Sequence, residues 1–276
     1  MTTEPVSAPR ENYILHTGAS AASRLHLLHQ LFGPVSREML LAAGISSGKH
    51  VLDLGCGVGD VTCWMASHVA PTGSVTSIDL SDAQLAEAQR QATALGVGNV
   101  ITFLQRNASE IGLPSASFDV VFCRFLLCHL TDPLGALREM HRVLKPGGSI
   151  VCQDIDLATV YSLPDSDAVN RSVQASLATG KKLGADYRFG RILHTALLDL
   201  GFTSVTPRFD QPMHLAGPDK RFWEYCFSEA SEVITKTGTL TRQEADELCH
   251  EIRRLSLDSS TVIAQHGSLS CGAVKP

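Results

Sequence analysis

No uninterrupted apolar run in this 276-residue chain reaches the ~18 residues that a membrane-spanning helix needs. A bilayer-embedded protein is therefore not expected, and no membrane partner with it. Basic residues are the minority, 23 Lys and Arg against 28 Asp and Glu, for a net charge of -5. Nucleic-acid binding usually needs a basic face, so no nucleic-acid partner is expected. Residues 1–12 are polar with two prolines and lack the basic start and apolar core of a secretory leader, which points to a cytoplasmic location. The eight cysteines include no C-x-x-C pair, and most lie in apolar stretches, as reduced, buried thiols do. His26 and His29 form an i, i+3 pair without further ligands close in sequence, so no metal is expected. There is no internal repeat, low-complexity tract or linker, and the chain reads as a single domain over residues 1–276.

What the chain does have is a core, with 44% hydrophobic residues, and one stretch that organises the rest. Val51-Leu52-Asp53-Leu54 is an apolar strand pattern that ends in Gly55, Gly57 and Gly59, and a helical pattern then runs from Val61 to His68. Strand, tight turn and helix make the first βα unit of an open α/β sheet. A dinucleotide loop is spaced G-x-G-x-x-G and receives a pyrophosphate, whereas this one is spaced G-x-G-x-G and follows a carboxylate, Asp53. That carboxylate would repel a phosphate and suit an ammonium or sulfonium. A second acid, Asp79, ends the next apolar run twenty residues after Gly59, where such folds bind adenosine ribose hydroxyls. An adenosine ligand with a cationic tail and no phosphate fits this pattern, and S-adenosyl-L-methionine (SAM) is such a ligand. An NAD-dependent dehydrogenase is disfavoured by Asp53 and Asp60.

Four segments, in this order, resemble the motifs of class I SAM-dependent methyltransferases. Val51–Asp60 resembles their glycine-rich motif, and Ser77-Ile78-Asp79-Leu80-Ser81 their ribose-binding acidic loop. Phe118-Asp119-Val120-Val121-Phe122-Cys123 is similar to their fourth strand, and residues 137–148 to the helix and turn before the fifth. The nearest type is that of small-molecule enzymes of quinone biosynthesis and natural products. The resemblance implies a Rossmann-like seven-stranded sheet of order 3-2-1-4-5-7-6, with strand seven antiparallel, helices on both faces and an embedded helical cap. It also implies cofactor contacts at Asp53, Gly55, Gly57, Asp79 and Leu80. Gln84, early in the next helix, and the loop Asn107-Ala108 after strand three are further candidates near ribose and adenine. An acid often stands in the family where this chain has Asn107. The end of strand four adds Cys123 and Arg124, the latter toward the cofactor carboxylate or an acidic substrate.

Further along the chain, the pattern predicts two helices before strand one, broken at Gly33-Pro34. In the resembling family this segment, 13–44, folds over the cofactor mouth, which makes Tyr13, His16 and Arg24 lid candidates. After strand five, residues 156–186 and 217–258 read as helical insertions covering the acceptor pocket. Tyr187 to Leu200 reads as one helix. Phe222, Trp223, Tyr225 and Phe227 are read as core packing, with an aromatic pocket as the other reading.

Methyl transfer is an in-line displacement with a good leaving group, so positioning in a dry site carries much of it. His129, in the loop after strand four, is the first candidate base, with His16, Tyr13 and Asp154 behind it. The acceptor is expected to be a small molecule, quinone-like or a secondary metabolite, methylated on O, N or C. Other readings are a SAM-fold protein that binds cofactor without methyl transfer, or an arsenite-type methyltransferase suggested by the cysteine count. A homo-oligomer is left open.

Overall fold

The computed structural model describes residues 14–15 and 19–276; for residues 19–22 this is the helical backbone only. Tyr13 and His16 lie outside the described residues. In chain order the elements begin with α1 (Ala19–Ala42), β1 (His50–Leu54), α2 (Asp60–Val69), β2 (Ser74–Asp79), α3 (Asp82–Ala94) and β3 (Ile101–Gln105). Then come β4 (Phe118–Arg124), α4 (Pro133–Val143), β5 (Leu144–Asp156), β6 (Tyr161–Leu163), α5 (Asp167–Leu183) and α6 (Leu193–Asp199). The chain closes with β7 (Thr203–Asp210), β8 (Met213–His214), α7 (Phe222–Lys236), α8 (Arg242–Leu257), β9 (Val262–Ala264) and β10 (Gly267–Val274). Among the described residues no helix is long and apolar enough to cross a membrane.

The main sheet has the order β3-β2-β1-β4-β5-β10-β7. Strand β10 runs antiparallel to both β5 and β7, and the pairs from β3 to β5 are parallel. Counted within this sheet alone, β7 is the sixth strand and β10 the seventh, which is the expected order and direction. β1 is buried on both faces from Val51 to Leu54, which is why it reads as a continuous apolar run rather than an alternating one. The strand order reverses between β1 and β4, so the crevice for a ligand opens at their C-terminal ends. The helix starts follow their sequence signals. Ser81 Oγ accepts from Gln84 N ahead of α3, and Asp132 Oδ1 accepts from Gly135 N ahead of Pro133 and α4.

Three features depart from the sequence reading. First, α1 is one helix with Pro34 inside it, not two. An interior proline costs about 3 kcal/mol. Burying Phe32 and Leu40 completely contributes about 1.5–3 kcal/mol each. Ser36 Oγ also lies 3.1 Å from Phe32 O, one turn back. Packing therefore outweighs the break. Second, the stretch from Tyr187 to Leu200 is a short 3-10 turn (Phe189–Ile192) followed by α6. Gly190 is drawn so close to β5 that a Cβ there would sit 2.9 Å from the carbonyl oxygens of Asp154 and Ile155. Third, three short strands form a second sheet of order β6-β9-β8. Its members continue β5, β10 and β7 beyond the C-terminal end of β5, in the same lateral order.

Candidate active site

The glycine loop is held by backbone. Gly55 N and Cys56 N both donate to Ile78 O, at 2.8 and 3.0 Å, stitching the end of β1 to the end of β2. Gly55, Gly57 and Gly59 take φ of 77°, 55° and 86°, the left-handed region that favours glycine. At Gly59 there is a second reason for glycine: a Cβ would lie 2.8 Å from Ala88 Cβ, so α2 and α3 meet there without room for a side chain. Asp79 locks the loop from below. Its Oδ2 accepts from Gly57 N and its Oδ1 from Ser81 N, both at 2.9 Å.

Asp53 is 2% exposed and accepts from Thr62 Oγ1 at 2.5 Å; Thr62 in turn meets Ser77 Oγ at 3.0 Å. Burial raises the Asp53 carboxyl from the usual 3.8 to about 6, against the pull of the Thr62 hydrogen bond and of Arg124, and Asp79 adds to the rise. Burial also raises Asp79, and the amides of Ser81, Gly57 and Leu80 oppose the rise. A buried acid and a half-buried one at adjacent strand tips favour a cation between them. Arg124 only partly answers them. Burial lowers its guanidinium to about 10 while Asp53 and Asp60 support the charge. Its Nη1 donates to Ser36 Oγ of α1 at 3.0 Å, and Ser36 donates to Gln153 on β5.

The residues suit an adenosine ligand with an amino-acid tail. Gln84 is 4% exposed, and its Oε1 is buried without a hydrogen-bond partner. Native folds seldom leave such an atom unpaired unless a ligand completes it. Leu80, at the tip of β2, stands 43% exposed, an apolar face beside Asp79. Asn107 Oδ1 accepts from Ser109 N at 2.9 Å, so that oxygen shapes its own loop. Ala108 is buried beneath it.

The structure brings Asp53, Gly55, Gly57, Asp79, Leu80 and Gln84 together at the tips of β1 and β2, with Asn107 and Ala108 after β3 and Arg124 at the tip of β4. It does not bring Cys123 there. Cys123 is 0% exposed. Along β4, Val120 and Phe122 enter one core cluster and Val121 and Cys123 the other. The Cys123 thiol thus joins a row across the sheet, in register with Cys152 and, one strand further, Cys271. Burial raises the Cys152 and Cys271 thiols, which suits inert core residues rather than thiolate chemistry.

His129 is too weakly basic for an easy general base. Burial, with Arg24 and His266 adding to it, pulls its imidazole down to about 3, and its ring meets Tyr187 edge-on at 5.3 Å. Phe222, Trp223 and Phe227 are buried, so they pack the core, while Tyr225 lies under the Arg221 guanidinium at 4.9 Å. Helix α1 spans the mouth of the crevice. Arg24 pairs with Glu229 of α7 at 2.8 Å, and His26 Nδ1 lies 3.0 Å from Asp60 Oδ1 at the start of α2. Leu25 lies over Gly57, with its Cδ1 3.9 Å from where a Cβ would be. Sequence reading missed Ser36, Gln153, Phe32, Phe125 and His266, which meet only through the fold. The short spacing of Arg124 and Phe125 after β4 is the one local signal that pointed near them.

Asp154 anchors the loop after β4. Its Oδ2 accepts from Cys128 N at 3.0 Å and its Oδ1 from Ile155 N at 2.8 Å, and burial raises it from 3.8 to about 7. Between these values the folded chain keeps a proton that the unfolded chain releases. Its contribution to stability is therefore full below about pH 4 and falls as pH rises to 7, by something on the order of 4 kcal/mol. Asp154→Asn is expected to flatten that slope in urea unfolding at pH 5 and pH 7.5. An equal slope in both proteins would refute it.

Residues 52–152 match a family model described as a methyltransferase domain. The ubiquinone/menaquinone biosynthesis C-methyltransferase of Pseudoalteromonas translucida is 32% identical over 145 residues, covering 52% of this chain and 54% of that protein. The demethylmenaquinone methyltransferase of Geobacillus kaustophilus is 35% identical over 124 residues, covering 45% and 53%. The chain thus spans about half the length of these curated relatives. The crystal structure of the YcgJ protein from Bacillus subtilis, 18% identical, superposes with a TM-score of 0.58 over 90% of this chain and 98% of that one, a likeness of fold. By the matching region, the sheet order and the acid-flanked glycine loop, the chain is similar to class I SAM-dependent methyltransferases.

Proposed function

We propose that this chain binds SAM and methylates a small, flat, quinol-like acceptor. The observation that carries the reading is the pair of carboxylates, Asp53 buried and Asp79 half-buried, at adjacent strand tips beside the unpaired Gln84 oxygen. Asp79 would hold the ribose hydroxyls, Asp53 and Arg124 the charged amino-acid tail, and Leu80, Gln84, Asn107 and Ala108 the adenine side. SAM held there supplies an electrophilic methyl on a sulfonium. The chain's own residues then orient the acceptor and exclude water. α1 serves as the lid, and the insertions 156–186 and 217–258 close the acceptor side.

A carbon acceptor is supported by the C-methyltransferase relative, and a quinol-type acceptor by both relatives' names. Position is the main source of rate in this reading. A His129 imidazole that is neutral and only weakly basic supports that emphasis. The test is methyl transfer from tritiated SAM to 1,4-naphthohydroquinone under anaerobic conditions, preceded by calorimetry with S-adenosylhomocysteine. Labelled methylnaphthohydroquinone is the expected product. A protein that binds neither SAM nor S-adenosylhomocysteine sinks the proposal.

A further inference from the structure

Four rings meet beside the tip of β4. His266, at the bend between β9 and β10, lies flat against Phe32 of α1, with centroids 4.9 Å apart and planes 3° apart. Phe125 meets both rings edge-on, at 5.0 Å from Phe32 and 5.2 Å from His266, and Phe222 lies 5.7 Å from His266. His266 is 6% exposed, and its Nδ1 is buried without a hydrogen-bond partner. A second observation points to the same place. Phe125 holds a φ of 52°, a left-handed backbone that bulky residues seldom adopt, and its N–H donates to Gln153 O at 2.8 Å. Such strain persists where the surroundings enforce it, and it gathers at ligand sites.

We infer that His266 Nδ1 recognises the acceptor, by a hydrogen bond to a hydroxyl of a flat, uncharged, hydroxylated aromatic ring that enters beside Phe125. The inference rests on the methyl-transfer reading for where the acceptor lies. Phe32 covers the face of the imidazole, whereas a hydrogen bond to Nδ1 forms in the plane of the ring, a direction that the stack itself does not occupy. The walls are aromatic, which suits a planar partner. Arg124 lies 5.9 Å over the Phe125 ring but is given to the cofactor's charged tail in the methyl-transfer reading, and Arg24 is paired with Glu229, so the ring pocket calls for an uncharged partner. Burial lowers the His266 imidazole to about 4, so at neutral pH it meets the hydroxyl as a neutral ring, able to donate or accept according to its tautomer.

The test uses the full chain, labelled with nitrogen-15 in its histidines and saturated with S-adenosylhomocysteine. The probes are 1-naphthol and its oxygen-free analogue naphthalene. The His266 Nδ1 signal, assigned by its loss in His266→Gln, is expected to move with 1-naphthol and stay put with naphthalene. The Kd for 1-naphthol is expected to rise about tenfold in His266→Phe, the loss of one neutral hydrogen bond, and to recover largely in His266→Gln. Affinity for S-adenosylhomocysteine should be the same in all three proteins. No movement with 1-naphthol, or equal movement with both probes, overturns the inference, and this readout needs no variant to fold. A chain that ignores S-adenosylhomocysteine yet shifts His266 with 1-naphthol would overturn the methyl-transfer reading and leave the His266 site standing.

Discussion

Asp79→Ala is expected to weaken S-adenosylhomocysteine binding about a hundredfold, or ~2.7 kcal/mol. Two effects add. The carboxylate is the proposed partner of the ribose hydroxyls, and hydrogen bonds to a charged group contribute about 1.5–3 kcal/mol. It also holds Gly57 N and Ser81 N at 2.9 Å each, so its removal frees the glycine loop that the ligand must meet in one shape. Stability should change less than affinity, because burial already makes the ionised Asp79 costly in the folded chain. Asp79→Asn keeps one acceptor oxygen and should fall between the two proteins. Calorimetry checks the affinities and thermal melts check the fold. An alanine variant that binds as tightly as wild type removes Asp79 from the ribose site.

Gly59→Ala is the larger effect on the fold. The residue sits at φ 86°, where an L side chain costs about 1–2 kcal/mol. The new methyl would stand 2.8 Å from Ala88 Cβ and 3.1 Å from Ala88 Cα, and forcing extra atoms into a packed contact costs about 1–3 kcal/mol more. Together these predict a loss of about 2–5 kcal/mol in denaturant unfolding. The two parts separate experimentally. Ala88→Gly in the same chain removes the methyl it strikes and should return part of the steric loss, but none of the dihedral strain. If Gly59→Ala unfolds at the wild-type denaturant concentration, the close approach of α2 and α3 is not what fixes glycine at this position.

Much of this was legible because it is local. Val51 to Gly59 is contiguous, and its apolar run, acid and glycines each have one physical reading. Ser81 and Asp132 announce their helices through their own side chains. Other features lie outside what local pattern carries. Pro34 reads as a break because its cost is local, while the burial of Phe32 and Leu40 that overrides it comes from distant elements. Cys123 gave no sign of its direction: β4 is buried on both faces, so its residues do not alternate in polarity. Strands β6, β8 and β9 have three, two and three residues, too few to show a period. The cluster of Phe32, Phe125, Phe222 and His266 draws on four separate elements, and nothing in the spacing of those residues joins them.

The second sheet and α1 both stand at the C-terminal end of the main sheet, yet they have very different mechanical freedom. β6, β9 and β8 are each joined within a few residues to a strand of the main sheet, and those three strands are themselves hydrogen-bonded to one another. Tilting the small sheet would require three bends to turn together, so it acts as a fixed wall carrying His266 at its base. α1 runs on toward β1 through residues 43–49 alone, and its grip on the body is side chains: Arg24 on Glu229, His26 on Asp60, Ser36 on Gln153 and Phe32 in its ring socket. Each of those can release without bending a sheet. In the methyl-transfer reading proposed above, traffic through the crevice is one-sided, with α1 as the leaf that swings and the β6-β9-β8 wall as the jamb.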